Sequence, residues 1–413
     1  MAERAAFAIG LSVEQARERI VEICRAHALS SERIELAKGL NRILASDAVA
    51  PFDVPGFTNS AMDGFAVRGR DLPAHGEKVF CLVGEVLAGG AEAPEIGAGE
   101  CVRITTGAPI PRGADTVVMK ENTRIEADAV TIAAGTSRGA NVRPAGEDYR
   151  TGDLGAVRGQ YLTAACLGVL ASFGLTHIDV VRQPRAVLIT TGDELVAPGL
   201  PLGFGQIHDS NRHSLGGLIE QHGATLLRHE RVRDDPAALR DALVRAGADA
   251  DFIVSSGGVS AGEADFLPGL IADIGNVSFW KVRIKPGMPF LFGKVGNALI
   301  FALPGNPVSG VAIFLTLLKP GLAAMSGTAV RAAELRARLA VPVDKRHARA
   351  EFQRARLACD GQGTLWTTPQ SRQGSGMLRG VAEADALIVL PEGSRAFAAG
   401  DVVEILPLPG WPG

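Results

Sequence analysis

Three short runs of small and acidic residues have the composition of phosphate-binding loops. They are TTGDEL at 190–195, SSGGVSAGEAD at 255–265 and LPGNPVS at 303–309. Glycine and serine leave backbone N–H groups free to hold an anion, most effectively near the start of a helix. The acids would repel a bare phosphate, but they suit a site in which Mg²⁺ lies between carboxylate and phosphate. The runs therefore predict a phosphate site with a bound cation.

The residues that we predict to contact a substrate in these runs are small or polar. They are Thr191, Gly192, Ser255, Ser256, Gly257, Gly258, Pro304, Gly305, Asn306 and Pro307, and the acids beside them include Glu194 and Asp265. One run alone is explained as well by a tight turn between a strand and a helix, with its acids as helix caps. Three such runs behind strands of one sheet favour a ligand site, because ligands bind beyond the carboxyl ends of strands in an open α/β sheet.

Two lysines are spaced for one face of a strand. Lys281 and Lys285 lie four residues apart in FWKVRIKPGMPF, and alternation along a strand would place them on the same side. Two like charges held together indicate a nearby anion. The spacing leaves a solvated strand face open as the alternative.

The first third of the chain contains three further polar clusters. They are GFTNSAMDGFA at 56–66, RITTGAPIP at 103–111 and NVRPAGEDY at 141–149. Each cluster alone is more typical of turns, where Asn, Asp, Ser and Gly are common. The chain has no GxxxxGK[ST] spacing, and its eight histidines show no ligand spacing.

The predicted secondary structure that positions these residues differs from one part of the chain to the next. From 183 to 330 a strand–loop–helix rhythm predicts a doubly wound α/β domain. Residues 52–148 read as short strands and turns, so we expect a β-rich domain inserted into a helical domain formed by 10–51 and 149–182. The short strands of 331–413 predict a small C-terminal β barrel or sandwich. The predicted fold class is therefore multidomain α/β.

Helix signals are clear at the N-terminus. Ser12 with Gln15 fits a capping box for a helix over 12–27. A second short helix is expected over 37–46.

Composition excludes several classes of protein. The 413 residues include 42 basic and 45 acidic side chains, a net charge of −3, which argues against a general binder of nucleic acid or anionic membranes. Five scattered cysteines without a CxxC pair predict neither a disulfide framework nor a zinc site. The longest uncharged stretch, 159–178, has the apolar spacing of a core helix rather than a membrane span. The N-terminus lacks the apolar core of a signal peptide, so we expect a cytoplasmic protein.

Taken together and in order, the motifs resemble one family. FDVPGFTNSAMDGFAV, RITTGAP, VRPAGED, TTGDEL, SSGGVSAGEAD, KPGMP and LPGNPVS are similar to those of the molybdopterin molybdenumtransferases, over about 10–410. The resemblance implies a homodimer that inserts molybdenum from molybdate into adenylated molybdopterin, with Mg²⁺ and with release of AMP. The enzyme that makes the adenylate is then a candidate partner, and neither nucleic acid nor a membrane is expected.

The resemblance also implies residue roles. By position in the motifs, the implied catalytic residues are Asp63, Thr106, Asp148, Glu194, Asp265, Lys281 and Lys285, the implied substrate contacts add Arg143 and Ser375, and the implied metal ligands are Asp234, Glu194 and Asp265. In the family the cleft lies between subunits, so Asp63, Thr106 and Asp148 are expected to serve the partner subunit's cleft.

The chain departs from the family pattern at Met288. The family often has KPGKP where this chain has KPGMP, so a cation is missing. The expected result is weaker oxyanion binding, unless Arg283 or Arg372 substitutes. Two other functions remain as alternatives, a molybdopterin adenylyltransferase and a non-catalytic dimeric scaffold of the same fold. Release of AMP would distinguish the molybdenum-inserting enzyme from both alternatives.

Overall fold

The chain folds into two structural units that are each interrupted in sequence. The computed structural model describes residues 7–90, 93–258, 266–328 and 335–410. One unit comprises Met1–Glu32, Asn41–Ile43 and Val180–Gly413, and the other comprises Arg33–Leu40 and Leu44–Asp179. The chain passes between them four times, once between Leu40 and Asn41 and three times within strands, which are Ser31–Glu35, Ile43–Leu44 and His177–Val181.

The first unit is built on a seven-stranded sheet. In spatial order its strands are Ala8–Leu11, Gly275–Val282, Leu291–Val295, Ala298–Leu303, Phe252–Ser256, Arg185–Thr191 and Thr225–Val232. The last four run parallel, whereas Leu291–Val295 is antiparallel to both of its neighbours. The loops that follow the parallel strands therefore meet at one edge, where an α/β sheet binds ligands.

Helices cover both faces of this sheet. Their bounds are Val13–Ala26, Asn211–Gln221, Pro236–Asp249, Phe266–Ile274, Pro307–Ile313 and Lys319–Met325. Neighbouring strand residues alternate between two cores: Leu188 packs in one and Ile189 in the other. Both faces are apolar because both are covered, which explains the continuous hydrophobic runs in these strands. The predicted doubly wound α/β domain is confirmed.

The starts of two helices follow the capping signals in the sequence. The Ser12 hydroxyl accepts from the N–H of Gln15, and the Gln15 side chain accepts from the N–H of Ser12. The Asp235 carboxylate accepts from Ala237 and Ala238, and Pro236 occupies the first helical turn. Each side chain satisfies N–H groups that the helix leaves unpaired.

The segment Pro307–Met325 is the one helix of the described residues that is long and apolar enough to cross a membrane. Its residues Phe314–Leu318 form a π-helical turn between two α-helices. In the fold, 83% of its apolar window is buried, and Phe314, Leu318 and Met325 lie in the core with the helix Val13–Ala26. Its hydrophobicity is thus explained by packing.

The C-terminal part of this unit closes a small barrel. Its five strands are Ala350–Cys359, Leu365–Pro369, Leu335–Leu339, Val402–Pro407 and Ala386–Leu390, and the last pairs again with the first. Ile284–Lys285 adds an edge strand beside Ala350–Cys359. Smaller elements are the paired strands Val343–Lys345 and Arg395–Phe397, the paired strands Leu195–Val196 and Ile207–His208, and the helix Leu378–Ala382. The predicted C-terminal barrel is confirmed.

The second unit is mainly β structure. Its six-stranded sheet has the order Thr123–Glu126, Ala129–Ala133, Glu77–Val86, Glu100–Ile104, Gly64–Val67 and Thr116–Met119. Two small sheets pair Asn59–Ser60 with Val142–Arg143 and Ala48–Val49 with Leu154–Ala156. The described part of this unit also contains the helix Ala164–Ser172 and the 3₁₀ turns Leu36–Lys38, Gly69–Asp71 and Lys120–Asn122.

Two sequence expectations differ from the structure. The helix expected over 37–46 is absent, and a single 3₁₀ turn is followed by the strand Ile43–Leu44. Asn41 has a φ of +63°, which ends a helix. The helix Val13–Ala26 does not group with Ala164–Ser172, because its apolar stripe packs in the core of the α/β unit.

Candidate functional site

A cavity of about 950 Å³ opens beyond the parallel strands of the α/β unit. It collects residues from all three of the loops identified in the sequence and from the C-terminal barrel. The predicted residues that line it are Thr191, Gly192, Glu194, Asp234, Ser256, Gly257, Gly258, Lys285, Pro304, Gly305, Asn306, Pro307 and Ser375. The predicted contact Ser255 is buried and is not among the lining residues. The cavity has the size of a typical small-molecule site.

The loops of the cavity approach one another through glycine. Gly257 has a φ of +100°, and a Cβ at this position would lie 2.5 Å from the carbonyl oxygen of Thr191. A Cβ on Gly305 would lie 3.7 Å from the Cα of Gly257. The three loops are thus packed closely, and the backbone itself forms the surface that a phosphate would meet.

Asn211 holds two of these loops together. Its Nδ2 donates to the Ser256 hydroxyl at 2.8 Å and to the Gly305 carbonyl at 2.7 Å. The side chain is 9% exposed, and within the described ranges its Oδ1 and the Thr191 hydroxyl are buried without a hydrogen-bond partner. Unpaired buried oxygens beside a cavity are costly, so they support a site that a ligand completes.

A buried carboxylate, Asp209, lies in the wall of the cavity. The Thr190 hydroxyl donates to its Oδ2 at 2.7 Å, and His229 Nε2 lies 3.4 Å from the same oxygen. Burial raises the pKa of Asp209, but hydrogen bonds from His229, Thr190 and the Arg212 N–H outweigh burial and leave the pKa below its usual value. Asp209 is therefore a negative charge facing the cavity at neutral pH.

The predicted metal ligands are only partly described. Glu194 and Asp234 are exposed at the cavity. Asp265 lies outside the described residues, as do Ser260 and Glu263 of the same loop. Among the described residues no cluster of three His, Cys, Asp or Glu side chains could hold a metal ion. Two carboxylates nevertheless suit Mg²⁺, which commonly binds one or two carboxylates together with substrate phosphates.

Two cations face the cavity from the side of the barrel. Lys285 Nζ lies 2.9 Å from Glu351 Oε1, and the ammonium group remains partly exposed. Arg349 is half-buried and, within the described part of the chain, forms neither a hydrogen bond nor an ion pair. Met288 also lines the cavity. Lys285 and Arg349 can therefore attract an anion where the methionine provides no charge.

The expectation that the two lysines share a strand face is wrong. Lys281 has a φ of +61°, and the strand Gly275–Val282 ends one residue later. Its ammonium lies 3.9 Å from the ring centroid of Trp280, away from the cavity lining. Lys285 belongs to a different strand, which pairs with Ala350–Cys359 of the barrel.

Neither arginine proposed to replace the missing lysine reaches the cavity lining. Arg283 pairs with Glu392 at 3.0 Å and donates to the Gly10 carbonyl. Arg372 lines a separate groove with Met377.

The second unit brings together two of its predicted residues. Asp63 Oδ1 accepts from the Thr106 N–H at 2.8 Å and from its hydroxyl at 2.9 Å. These two hydrogen bonds lower the pKa of Asp63 below its usual value. Asp63 is also exposed. It is thus a fixed carboxylate that another molecule can reach.

The remaining two predicted residues of this unit lie in the third polar cluster, Arg143 at the end of a strand and Asp148 in the loop that follows. Arg143 pairs across strands with Asn59 and lies 3.8 Å from the carboxylate of Glu147. Asp148 is exposed, and its N–H donates to the Val54 carbonyl at 3.0 Å. The pairing of Asn59–Ser60 with Val142–Arg143 brings the first and third polar clusters of the sequence side by side.

Several residues of the cavity were not predicted from the sequence, among them Asp209, Asn211, Arg349 and Glu351. Asp209 and Asn211 stand in HDSN at the start of a helix, which was a usable signal for a ligand loop. Arg349 and Glu351 lie between two predicted strands of the C-terminal β domain, and nothing local to that segment indicated the cavity.

Comparison with known proteins covers the whole chain. Three family descriptions match in turn: MoeA N-terminal region (domain I and II) over residues 11–174, probable molybdopterin binding domain over 187–324, and MoeA C-terminal region (domain IV) over 336–408. A molybdopterin molybdenumtransferase of Haemophilus influenzae is 36% identical over 400 residues, which are 96% of this chain and 98% of the relative. Molybdopterin molybdenumtransferase 2 of Mycobacterium tuberculosis is 35% identical over 95% of this chain and 98% of its own.

A solved structure has the same fold. The crystal structure of a molybdopterin biosynthesis moeA protein from Pyrococcus horikoshii OT3 matches with a TM-score of 0.83 at 26% identity, over 97% of this chain and 100% of that one. The predicted family and fold class are confirmed, and the chain belongs to the molybdopterin molybdenumtransferase family.

Proposed function

We propose that this protein is a transferase of molybdenum cofactor biosynthesis that inserts molybdenum from molybdate into adenylated molybdopterin and releases AMP. The observation that carries the proposal is the composition of one cavity. Its strand loops offer backbone groups suited to a pyrophosphate, and its barrel side offers Lys285 and Arg349, suited to an oxyanion. A site for two anionic substrates needs one surface for the pyrophosphate and another for the oxyanion.

The loops bind and orient the pyrophosphate in this scheme. Ser256, Gly257 and Gly258 lie at the carboxyl end of the central parallel strand, and Asn211 fixes their position against Gly305. Such fixed donors stabilise charge without having to reorganise during the reaction.

Glu194 and Asp234, with Asp265 from the sequence, are the proposed ligands of Mg²⁺. When bound, the ion would neutralise charge on the phosphate oxygens as the bond to AMP breaks. The acids would then no longer oppose the anionic substrate.

Lys285 and Arg349 would hold molybdate beside the pterin part of the substrate. Arg349 suits this role because its guanidinium has no partner among the described residues and can bind an oxyanion through two N–H groups. Lys281 was implied as catalytic by the resemblance. Its position against Trp280 supports a role outside the cavity lining.

Asp63, Thr106, Arg143 and Asp148 are proposed to act in the cleft of a second subunit, so that the functional protein is a homodimer. The exposed and ionised Asp63 supports such a role. We also propose a cytoplasmic location and the enzyme that makes the adenylate as a partner.

The proposal is tested by AMP release from adenylated molybdopterin with Mg²⁺ and molybdate. Lys285→Ala should lower the rate in the presence of molybdate by at least about tenfold, since a charge-assisted contact contributes about 1.5–3 kcal/mol. Lys294→Ala is the matched control, because Lys294 is exposed on a strand outside the cavity lining. Equal rates for the two variants would contradict the assignment of Lys285, and ATP consumption without AMP release would favour an adenylyltransferase.

A further inference from the structure

Lys285, the lysine of the cavity, belongs to a row of three charged or ionisable side chains. Glu351 lies between Lys285 and His347: its Oε1 is 2.9 Å from Lys285 Nζ, and its Oε2 is 3.1 Å from His347 Nε2. Strand pairing fixes the first contact, because Lys285 and Glu351 are register partners in the parallel ladder. Each carboxylate oxygen thus has one partner, one toward the cavity and one behind it.

The exposed fraction of the side chain falls and then rises along these three residues. The Lys285 side chain is 42% exposed, Glu351 7% and His347 24%. Glu351 nevertheless contributes to the cavity lining. A nearly buried carboxylate so close to an anion site would repel the anion unless cations compensate its charge.

A second lysine fixes the segment that carries the histidine. Lys345 is 1% exposed, and its ammonium donates to the carbonyls of His347 and Gly393. The charged groups that act on His347 are Glu351, Lys285, Lys345 and Arg349. Glu392 acts in turn on Lys345.

The charge that the cavity presents depends on whether His347 carries a proton. With neutral His347, Glu351 compensates Lys285 and leaves the pair without net charge. With protonated His347, one carboxylate faces two cations, and the positive charge of Lys285 is available to an anion. Arg349 supplies a constant charge in both states, since an arginine stays protonated.

We propose that Glu351 and His347 are positioning residues that couple a proton on His347 to the binding of a doubly charged oxyanion by Lys285. This rests on the proposed function, because it assumes that the oxyanion occupies the Lys285 side of the cavity. Binding of the anion and of the proton then strengthen each other by the same factor.

The direction of the pH dependence follows from the surroundings of His347. Desolvation lowers the pKa of His347 below its usual value, and Glu351 opposes this effect. The Nδ1 atom of His347 is also buried without a hydrogen-bond partner among the described residues. Protonation of His347 therefore requires a lower pH than that of an ordinary histidine, and anion affinity rises as the pH falls through the pKa of His347.

The test measures the dissociation constant of sulfate by NMR titration at about pH 8 and about pH 5, because the lowered pKa of His347 requires the acid measurement to lie well below the ordinary histidine pKa. Sulfate is the probe because it keeps both charges throughout. Wild-type affinity should be about fivefold higher at the lower pH, the lower end of the range for coupled sites. His208 also lines the cavity, so the comparison with variants decides which residue causes the change.

Two variants separate the coupling from a merely structural role. His347→Gln should bind sulfate at both pH values as weakly as the wild type does at the higher one. Glu351→Gln should bind at both pH values as tightly as the wild type does at the lower one, because Lys285 is no longer compensated. A merely structural role predicts weaker binding in Glu351→Gln, and that result would overturn the proposal.

A second measurement keeps this inference distinct from the proposed function. Sulfate should raise the pKa of His347, followed by its ring proton resonances, and should leave it unchanged in Lys285→Ala. A His347 pKa that ignores sulfate in the wild type would refute the coupling even if AMP release depends on molybdate. Conversely, coupling without any AMP release would refute the proposed function alone.

Discussion

Replacing Gly257 by alanine tests the close packing of the phosphate loops. The backbone at Gly257 has a φ of +100°, and a Cβ would lie 2.5 Å from both the carbonyl and the hydroxyl oxygen of Thr191. A left-handed backbone costs an alanine about 1–2 kcal/mol, and overpacking adds about 1–3 kcal/mol, so Gly257→Ala should lose about 2–5 kcal/mol of unfolding free energy. The strained loop should also bind pyrophosphate more weakly.

Gly199 provides the matched control for this substitution. It has a similar φ of +92° in the same unit, but nothing lies within 4 Å of its added Cβ. Gly199→Ala should therefore cost only the backbone strain of about 1–2 kcal/mol and leave pyrophosphate affinity unchanged. Urea unfolding and pyrophosphate titration of both variants give the comparison. Equal urea midpoints and equal affinities for the two would refute the argument that backbone contact between the loops forms the site.

Three further predictions concern a carboxylate, a helix cap and the cavity methionine. Thr106→Val removes the hydroxyl that donates to Asp63, one of the hydrogen bonds that lower the pKa of Asp63. The pKa of Asp63 should therefore rise, and the acid limb of the pH profile of AMP release should move to higher pH. An unchanged acid limb would show that Asp63 does not limit activity. Asp235→Ala removes a side chain that accepts from two N–H groups and should cost about 1 kcal/mol of stability by urea unfolding, against no change for the exposed Asp241→Ala. Met288→Lys should lower the molybdate concentration that gives half-maximal AMP release, since a cation is added to the cavity lining; a higher concentration would contradict the placement of molybdate beside Lys285.

Much of the α/β unit could be predicted from local sequence. Fully apolar runs followed by Gly, Ser and Asp predicted the parallel strands and their loops. A strand buried on both faces is apolar throughout and does not alternate apolar with polar residues. Capping residues such as Ser12 and Asp235 marked helix starts, because they satisfy backbone groups within three residues.

The residues that sequence reasoning missed depend on distant contacts. Arg349 and Glu351 reach the cavity because the barrel strand Ala350–Cys359, which contains Glu351 and directly follows Arg349, pairs with Ile284–Lys285. The two lysines looked equivalent because alternation assumes a continuous strand, and the positive φ of Lys281 interrupts it. The helix Val13–Ala26 was grouped wrongly for a similar reason: its stripe of Val13, Ile20 and others shows that one face is buried, but not which core buries it.

The most direct test of the central claim is the stoichiometry of a single turnover. Purified protein is given a limiting amount of adenylated molybdopterin with Mg²⁺ and molybdate, and both released AMP and molybdenum bound to the pterin are quantified. The account predicts one molybdenum incorporated for each AMP released, and little AMP when molybdate is omitted. AMP release at the same rate without molybdate, or release with no molybdenum in the product, would contradict it.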